Sequence, residues 1–216
     1  MKINVIIPAG GTSSRFGKSN KLTELIDDKM VIEHTVDAFC IDEIDEIIIP
    51  AHESIIELLT DKFKLNPKIK IIKGGDCRQK SVFNGLEFSE CDYVLIHDGA
   101  RPMITKELVR LVIDTVQDKK ALTVATKTID TIKEVENGKI IRTIDRSKLY
   151  NTQTPQAFDY NLILNAHKKL AGENFTDDAG MLEKLRCDVY IIDGSYKNLK
   201  ITTKADLDAA KIYLSK

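Results

Sequence analysis

The chain alternates between short runs of β-branched residues and longer stretches in which apolar residues recur every three or four positions. Short apolar runs between polar loops are typical of buried strands, and the longer periodic stretches are typical of amphipathic helices. Alternation of the two predicts an α/β fold, in which helices cover a mainly parallel sheet. The predicted strands are Asn4–Ile7, Glu46–Ile49, Ile69–Ile72, Tyr93–Ile96, Leu122–Ala125 and Val189–Ile192. The predicted helices are Val31–Phe39, Ser54–Phe63, Lys80–Phe88, Lys106–Gln117 and Ala205–Leu214, with Thr105 and Thr203 as N-caps.

Polar loops follow three of the predicted strands, at residues 8–15, 73–81 and 97–102. The carboxyl ends of parallel strands meet at one edge of a sheet, which is where α/β proteins bind their ligands. The three loops are therefore expected to form one site.

Residues 130–144 depart from this rhythm, because they alternate with period two around Asn137-Gly138. This pattern predicts a β-hairpin with a type I′ turn. An isolated two-stranded ribbon is only marginally stable, so it needs a surface to pack on. We expect an arm at about 130–150 that clasps a second subunit to form a homodimer. The alternative is a hairpin that folds back on its own domain.

The first loop carries the residues expected of a polyphosphate site. Gly10 and Gly11 lack Cβ atoms, so backbone N–H groups can approach anionic oxygens closely. Three hydroxyl residues follow at 12–14, and Arg15 and Lys21 add positive charge. The alternative interpretation is an ordinary Gly/Ser turn with two solvated bases.

Composition limits the classes of protein to consider. The 216 residues suit a single α/β domain over 1–216, and 32 Lys and Arg against 33 Asp and Glu leave a net charge of -1. That balance does not favour binding to nucleic acid or to an anionic membrane. Four scattered cysteines form no CxxC pair, and the N-terminal apolar run is short for a signal peptide. We expect a cytoplasmic protein with its cysteines reduced.

Later loops add candidate ligands. Gly75 and Asp76 can present backbone and carboxylate groups to a nucleoside, and Ser81 could reach the same ligand. Asp98 ends a strand where ribose hydroxyls or a phosphate-bound metal would lie. His97 before it is interpreted as a structural hydrogen-bonding residue, and Arg101 as a brace of the loop. Further along the chain, Arg146 and Lys200 are candidate phosphate ligands.

Taken in order, the motifs GG(x)3R, GGxxR(x)2SV, HDGARP, DT before the hairpin, TPQxF, TDDA and NLKIT resemble the 2-C-methyl-D-erythritol 4-phosphate cytidylyltransferase family. The resemblance spans nearly the whole chain. It implies a Rossmann-like nucleotidyltransferase fold, with a twisted, mainly parallel sheet, helices on both faces and a β-hairpin arm exchanged across a homodimer. It also implies transfer of CMP from CTP to methylerythritol 4-phosphate with Mg²⁺ and release of pyrophosphate.

The resemblance assigns roles to residues that match its motifs. The implied catalytic residues are Arg15, Lys21, Arg146 and Lys200, with Arg146 supplied by the partner subunit. The implied nucleotide-binding residues are Ala9, Gly10, Gly11, Gly75, Asp76, Ser81, Asp98 and Gly99. The implied substrate-binding residues are Arg101, Asp130, Thr131, Thr154 and Thr176, and Asp98 is the implied protein contact of the metal.

The chain departs from the family pattern in its first loop and after the second glycine pair. Gly10 stands where the pattern has Ala, Ser13 replaces a glycine, and Cys77 replaces an acidic residue. The shortening before Lys21 leaves Lys18 as the alternative second cation. The loop between Arg15 and Lys21 is expected to be mobile without CTP.

Three other functions remain to be weighed. Ribitol 5-phosphate cytidylyltransferases use the same chemistry, but HDGARP and TDDA are closer to the methylerythritol enzymes. An NAD(P)-dependent oxidoreductase would need GxGxxG after the first strand, and the spacing of Gly10 and Gly11 does not match it. A non-catalytic module would bind CTP without forming product.

Overall fold

In the computed structural model, the described residues are 1–11, 16 and 20–214. The strands are β1 Ile3–Ile6, β2 Leu25–Ile26, β3 Lys29–Met30, β4 Glu46–Ala51, β5 Ile69–Lys73, β6 Tyr93–Ile96, β7 Ala121–Lys127, β8 Lys133–Glu136, β9 Lys139–Thr143, β10 Tyr150–Asp159 and β11 Tyr190–Asp193. The helices are α1 Val31–Asp37, α2 Glu53–Phe63, α3 Arg78–Phe88, α4 Lys106–Lys119, α5 Tyr160–Lys169, α6 Ala179–Lys184 and α7 Lys204–Leu214. A 3₁₀ turn spans Arg146–Lys148.

A central sheet of seven strands has the order β11-β7-β10-β6-β1-β4-β5. Strand β1 pairs in parallel with β4 and β6, β4 with β5, and β7 with β11, whereas β10 is antiparallel to both of its neighbours. The prediction of a mainly parallel sheet is therefore confirmed.

Successive residues of the central strands point to opposite faces of the sheet, because side chains alternate along a strand. Val5 belongs to a core that also contains side chains of α1, α2, α4 and α7. Ile6 belongs to the opposite core, which contains side chains of α3, α5 and α6. Helices cover both faces of the sheet, as predicted.

All six predicted strands and all five predicted helices are present, with ends that differ by at most two residues. Both predicted N-caps are confirmed: the hydroxyl of Thr105 accepts from Leu108 N at 3.3 Å, and that of Thr203 accepts from Asp206 N at 3.3 Å.

The prediction missed β10, α5 and α6, as well as the two-residue strands β2 and β3. Strand β10 is rich in polar residues and contains Pro155, which argues against a central strand. A register shift between Thr152 and Gln156 accommodates this segment between β6 and β7. Because β10 runs antiparallel, its first half lies at the carboxyl ends of both neighbours. It thus brings a fourth polar segment to the edge predicted to form the site.

The predicted hairpin is confirmed as β8 and β9. Asn137 and Gly138 both have positive φ, 50° and 79°, as a type I′ turn requires. The two strands form a sheet of their own, and every residue in them is exposed.

Candidate active site

A cavity of about 310 Å³ lies at the carboxyl ends of β1 and β6. It is lined by Pro8, Ala9, Gly10, Gly11, Phe16, Lys21, Leu22, Arg78, Asp98, Gly99, Ala100, Lys200 and Thr202. The three predicted loops thus meet at one place, as their positions predicted, and a fourth segment contributes Lys200 and Thr202. We call it the first cavity.

The glycine loops after β1 and β5 are packed directly against each other. A Cβ atom on Gly10 would lie 2.4 Å from the Ser81 hydroxyl oxygen and 3.2 Å from the Gly75 carbonyl oxygen. The same hydroxyl accepts from Gly75 N at 3.0 Å and donates to Cys77 O at 2.9 Å. The absence of a Cβ at Gly10 therefore allows the two loops to touch.

A buried carboxylate at the end of β6 gathers three cations. Asp98 accepts from Arg78 Nε at 2.9 Å, pairs with Lys200 Nζ at 2.9 Å and lies 3.6 Å from Arg101 Nε. Burial by itself would raise the pKa of Asp98, but Arg78, Lys200 and Arg101 hold it well below its usual range. Asp98 is therefore ionised throughout the physiological pH range.

Arg78 is the first residue of α3 and joins two carboxylates from distant segments. Besides Asp98, it contacts Asp178 through a nitrogen–oxygen distance of 2.8 Å. Burial disfavours the charge of Arg78, but Asp178 and Asp98 raise its pKa above its usual value. Removing one partner from such a buried network lowers the free energy of unfolding, because an unpaired charge is left in the protein interior.

The loop that carries Lys200 is fixed from two sides. Arg101 donates to Asn198 O at 2.6 Å, and the side-chain amide of Asn198 donates to Thr154 O at 2.9 Å. Lys21 Nζ donates to Ile201 O at 2.7 Å. Arg101 thus braces the NLKIT loop as well as its own.

His97 is fully buried and its pKa is lowered to about 3, mainly by burial. Its Nδ1 lies 3.1 Å from the Thr154 hydroxyl, which also accepts from Asp98 N at 3.0 Å. Its Nε2 lies 3.3 Å from Arg101 O, so this network assigns the proton to Nε2. The contacts agree with the predicted structural role of His97.

A second cavity of about 270 Å³ adjoins the first and shares Arg78, Asp98 and Lys200 with it. Its remaining lining residues are Arg101, Thr152, Gln153, Thr154, Gln156, Thr176 and Asp177. The wall common to both cavities consists of these three charged side chains.

The TPQ and TDDA motifs of the second cavity are bonded to each other. The side-chain oxygen of Gln156 accepts from Asp178 N at 3.0 Å and from Ala179 N at 3.2 Å. Its amide donates to Asp177 at 2.9 Å. Gln156 therefore fixes the loop that presents Thr176 to the second cavity.

Most of the predicted site residues meet at these two cavities. Ala9, Gly10, Gly11, Lys21, Asp98, Gly99 and Lys200 line the first cavity, and Arg101, Thr154 and Thr176 line the second.

The other predicted residues fall into three groups. Gly75, Asp76 and Ser81 line neither cavity: Gly75 and Ser81 pack against Gly10, and Ser81 is fully buried with its hydroxyl engaged within the loop. Asp130, Thr131 and Arg146 are exposed at the base of the arm and line neither cavity of their own chain. Arg15 and Lys18 lie outside the described residues, as does most of the segment expected to be mobile.

Sequence reasoning assigned no role to Arg78, Asp177, Asp178 or Gln156. Arg78 belongs to the GGxxR motif and lies in the first turn of α3, directly after a glycine loop. A basic residue at that position could have indicated an anion-binding role from the sequence. Its second partner, Asp178, is 100 positions away, so no local pattern reveals that contact.

The chemistry of the site suits a cation held by a substrate. Among the residues that the structure describes, no three His, Cys, Asp or Glu side chains form a metal-binding group. Mg²⁺ commonly uses one or two carboxylates together with substrate phosphates and water. Asp98 lies on the wall between the cavities and fits that role. A carboxylate has about four acceptor positions, so it can bind a metal ion as well as the cationic side chains around it.

An α/β sheet with glycine loops and cations gathered at its carboxyl edge is typical of enzymes that bind nucleotides, and the comparison with known families identifies this one as a nucleotidyltransferase. The sequence matches the family described as 2-C-methyl-D-erythritol 4-phosphate cytidylyltransferase over residues 3–216. The chain belongs to this family.

Individual relatives agree with that membership. A protein of the same description from Bacillus cytotoxicus is 40% identical over 218 residues, covering 97% of this chain and 96% of that protein. One from Caldanaerobacter subterraneus subsp. tengcongensis is 41% identical over 229 residues and covers 100% of both. The crystal structure of 4-diphosphocytidyl-2C-methyl-D-erythritol synthase from Anaerococcus prevotii superposes with a TM-score of 0.88 at 32% identity, covering 100% of this chain and 96% of that chain.

No helix within the described residues has the length and apolar character needed to span a membrane.

Proposed function

We propose that this chain transfers CMP from CTP to 2-C-methyl-D-erythritol 4-phosphate and releases pyrophosphate. The observation that carries the proposal is the pair of adjoining cavities with a common wall of Arg78, Asp98 and Lys200. Transfer between two phosphorylated molecules needs two such compartments that meet at a charged boundary. Family membership and the names of its relatives supply the identities of the two substrates.

CTP is assigned to the first cavity. Backbone groups of Gly10 and Gly11 border it, and a Cβ atom on Gly11 would meet no other atom within 4 Å, so this side of the loop is open to a ligand. Lys21 and Lys200 supply positive charge for the triphosphate, and Arg15 is proposed to join them.

The sugar phosphate is assigned to the second cavity. Thr152 and Thr176 offer hydroxyl groups to a polyol, and Arg101 and Lys200 provide positive charge for its phosphate. Lys200 lines both cavities, so its ammonium group can contact the attacking phosphate and the nucleotide phosphates.

The reaction requires charge stabilisation and alignment more than proton transfer. A phosphate monoester oxygen attacks the α-phosphorus of CTP, the new P–O bond forms, and the bond to pyrophosphate breaks. Two unit charges ~4 Å apart repel by about 4 kcal/mol at an effective dielectric constant near 20, so cations at the shared wall lower the barrier. The nucleophile is ionised near neutral pH, so no general base is needed. Lys21, Lys200 and Arg78 are each held by contacts within the protein.

Mg²⁺ is proposed as the divalent cation. It would neutralise charge on the triphosphate, and Asp98 would hold it from the protein side.

The test measures pyrophosphate release by the purified protein with CTP and Mg²⁺ fixed and one polyol phosphate added at a time. We expect turnover with methylerythritol 4-phosphate and little with ribitol 5-phosphate. Faster turnover with ribitol 5-phosphate would overturn the assigned acceptor. CTP binding without product from either compound would indicate a binding module.

We also propose a homodimer in which the arm of one subunit brings Arg146 to the site of the other. Three observations support it: the ribbon is exposed on both faces, it bears a cross-strand pair of exposed apolar residues, Val135 and Ile140, and Arg146 lies outside the cavities of its own chain. Mixing Arg146→Ala and Lys200→Ala subunits tests this arrangement. Random exchange should restore about a quarter of the wild-type activity, because half of the dimers then contain one intact site. No recovery after proven subunit exchange would show that Arg146 acts in its own chain or not at all.

A further inference from the structure

A continuous line of polar contacts runs from α5 to the wall between the cavities. His167 Nε2 lies 3.1 Å from Asp178 Oδ1, and Asp178 Oδ2 lies 2.8 Å from a terminal nitrogen of Arg78. Arg78 Nε then contacts Asp98, which holds Lys200. The line begins outside both cavities and ends at the proposed catalytic lysine.

His167 cannot touch either substrate in this arrangement. It is 4% exposed, lines neither cavity, and its ring stacks on Phe83 with centroids 6.0 Å apart and an interplanar angle of 17°. Stacking fixes the plane of the imidazole, so Nε2 is aimed at Asp178.

Asp178 has a separate donor on each carboxylate oxygen, His167 on one and Arg78 on the other. Its backbone N–H is bonded to Gln156, so its main chain is held as well. A carboxylate fixed at both oxygens cannot rotate freely, and it therefore fixes the guanidinium that it binds. Loss of the imidazole donor would free one oxygen and let Arg78 adopt other orientations.

We propose that His167 is a positioning residue, which orients Arg78 through Asp178 and so aligns the wall between the two substrate sites. The inference rests on the proposed function for its kinetic readout. It assigns no proton transfer to His167.

Three single variants separate positioning from stability. His167→Leu removes the donor, and His167→Gln keeps an N–H near the same position. Ile163→Ala removes a fully buried apolar side chain from the same helix, one that makes none of the polar contacts in the line. We expect kcat to fall roughly tenfold in His167→Leu. A 1 Å misplacement of a catalytic group can lower the rate by ~100-fold, and the expected shift of Arg78 is smaller than that. KM for CTP should stay within about twofold, and His167→Gln should recover most of the loss.

Ile163→Ala should lower the melting temperature at least as much as His167→Leu while leaving kcat near the wild-type value. Equal losses of kcat in both variants would overturn the proposal, because the effect would then follow stability alone. Unchanged kcat in His167→Leu would overturn it as well.

Coupling to Arg78 is tested by combining His167→Leu with Arg78→Lys. If His167 acts through Arg78, the double variant should be no slower than Arg78→Lys alone. If the decrease in kcat of the double variant equals the product of the decreases in the two single variants, His167 acts independently of Arg78.

A readout independent of activity separates this proposal from the proposed function. The Arg78 Nε–H resonance, assigned by its loss in Arg78→Lys, should shift or broaden in His167→Leu and remain in place in His167→Gln. Should His167→Leu fail to fold, Asp178→Asn probes the same link from the other side. An unperturbed resonance in whichever of these two variants is folded would overturn the proposal, even if the wild-type protein proved inactive in the assay.

Discussion

Asp98 shows how a single side chain organises this site through contacts within the protein. Its buried carboxylate holds Arg78 and Lys200 at 2.9 Å each, so the cations are oriented in advance by an internal anion. Preorganised charges cost little reorganisation during reaction, which is the main source of electrostatic catalysis.

Lys200→Ala should lower kcat by ~100-fold or more, because it removes one preorganised cation from the developing charge. Lys197→Ala is the matched control, since Lys197 lies on the same loop, is exposed and stacks over Tyr213. Steady-state pyrophosphate release measures both. Similar activity in the two variants would contradict the role of Lys200.

His97 should make the protein less stable in mild acid. Its folded pKa of about 3 lies below the unfolded value near 6.5, so between these values the unfolded chain binds a proton that the folded chain does not. The free energy of unfolding should fall by about 2 kcal/mol from this group between pH 6.5 and 5. Urea unfolding across this range measures it, and His97→Gln should flatten the curve. A variant with the wild-type slope would assign the acid sensitivity to other groups.

At the scale of elements, the site depends on how closely loops and strands approach one another. The glycine loop after β1 touches the loop after β5 at Gly10, and β10 inserts between β6 and β7 to bring Thr154 against His97. At each of these contacts there is little room for an additional atom, because protein interiors are closely packed.

Gly10→Ala should destabilise the fold by about 1–3 kcal/mol, because the new methyl group would displace the buried Ser81 hydroxyl 2.4 Å away. Gly11→Ala is the control, with open space at the position of its Cβ. Chemical denaturation of the two proteins tests the difference. Equal stability would mean that the loops separate at little cost.

At the scale of the whole molecule, the arm is an element that the described part of its own chain leaves exposed on both faces. Val135, Ile140 and Ile141 are 54%, 58% and 52% exposed. A two-stranded ribbon with exposed apolar residues is stabilised when another surface covers those residues. This is the physical argument for contact with a second subunit.

Ile140→Glu should therefore shift the protein from dimer to monomer, because a charge would be buried at the proposed contact. Leu65→Glu is the control, a residue 90% exposed on the loop after α2. Sedimentation velocity over a range of concentrations measures the mass. A monomeric wild-type protein, or an unchanged dimer in Ile140→Glu, would contradict the proposed interface.

Local patterns in the sequence determined most of the strands and helices, the hairpin and the positions of the polar loops, because each depends on periodicity and turn chemistry within a few residues. Tertiary structure decided the rest. Insertion of β10 could not be inferred from a polar segment containing Pro155, and the bond between Arg78 and Asp178 joins side chains 100 positions apart. Most of the residues proposed to carry the chemistry were visible in the sequence, although Arg78 was not assigned a role. The charge network that aligns them arises only when the packed sheet brings distant carboxylates and cations within 3 Å.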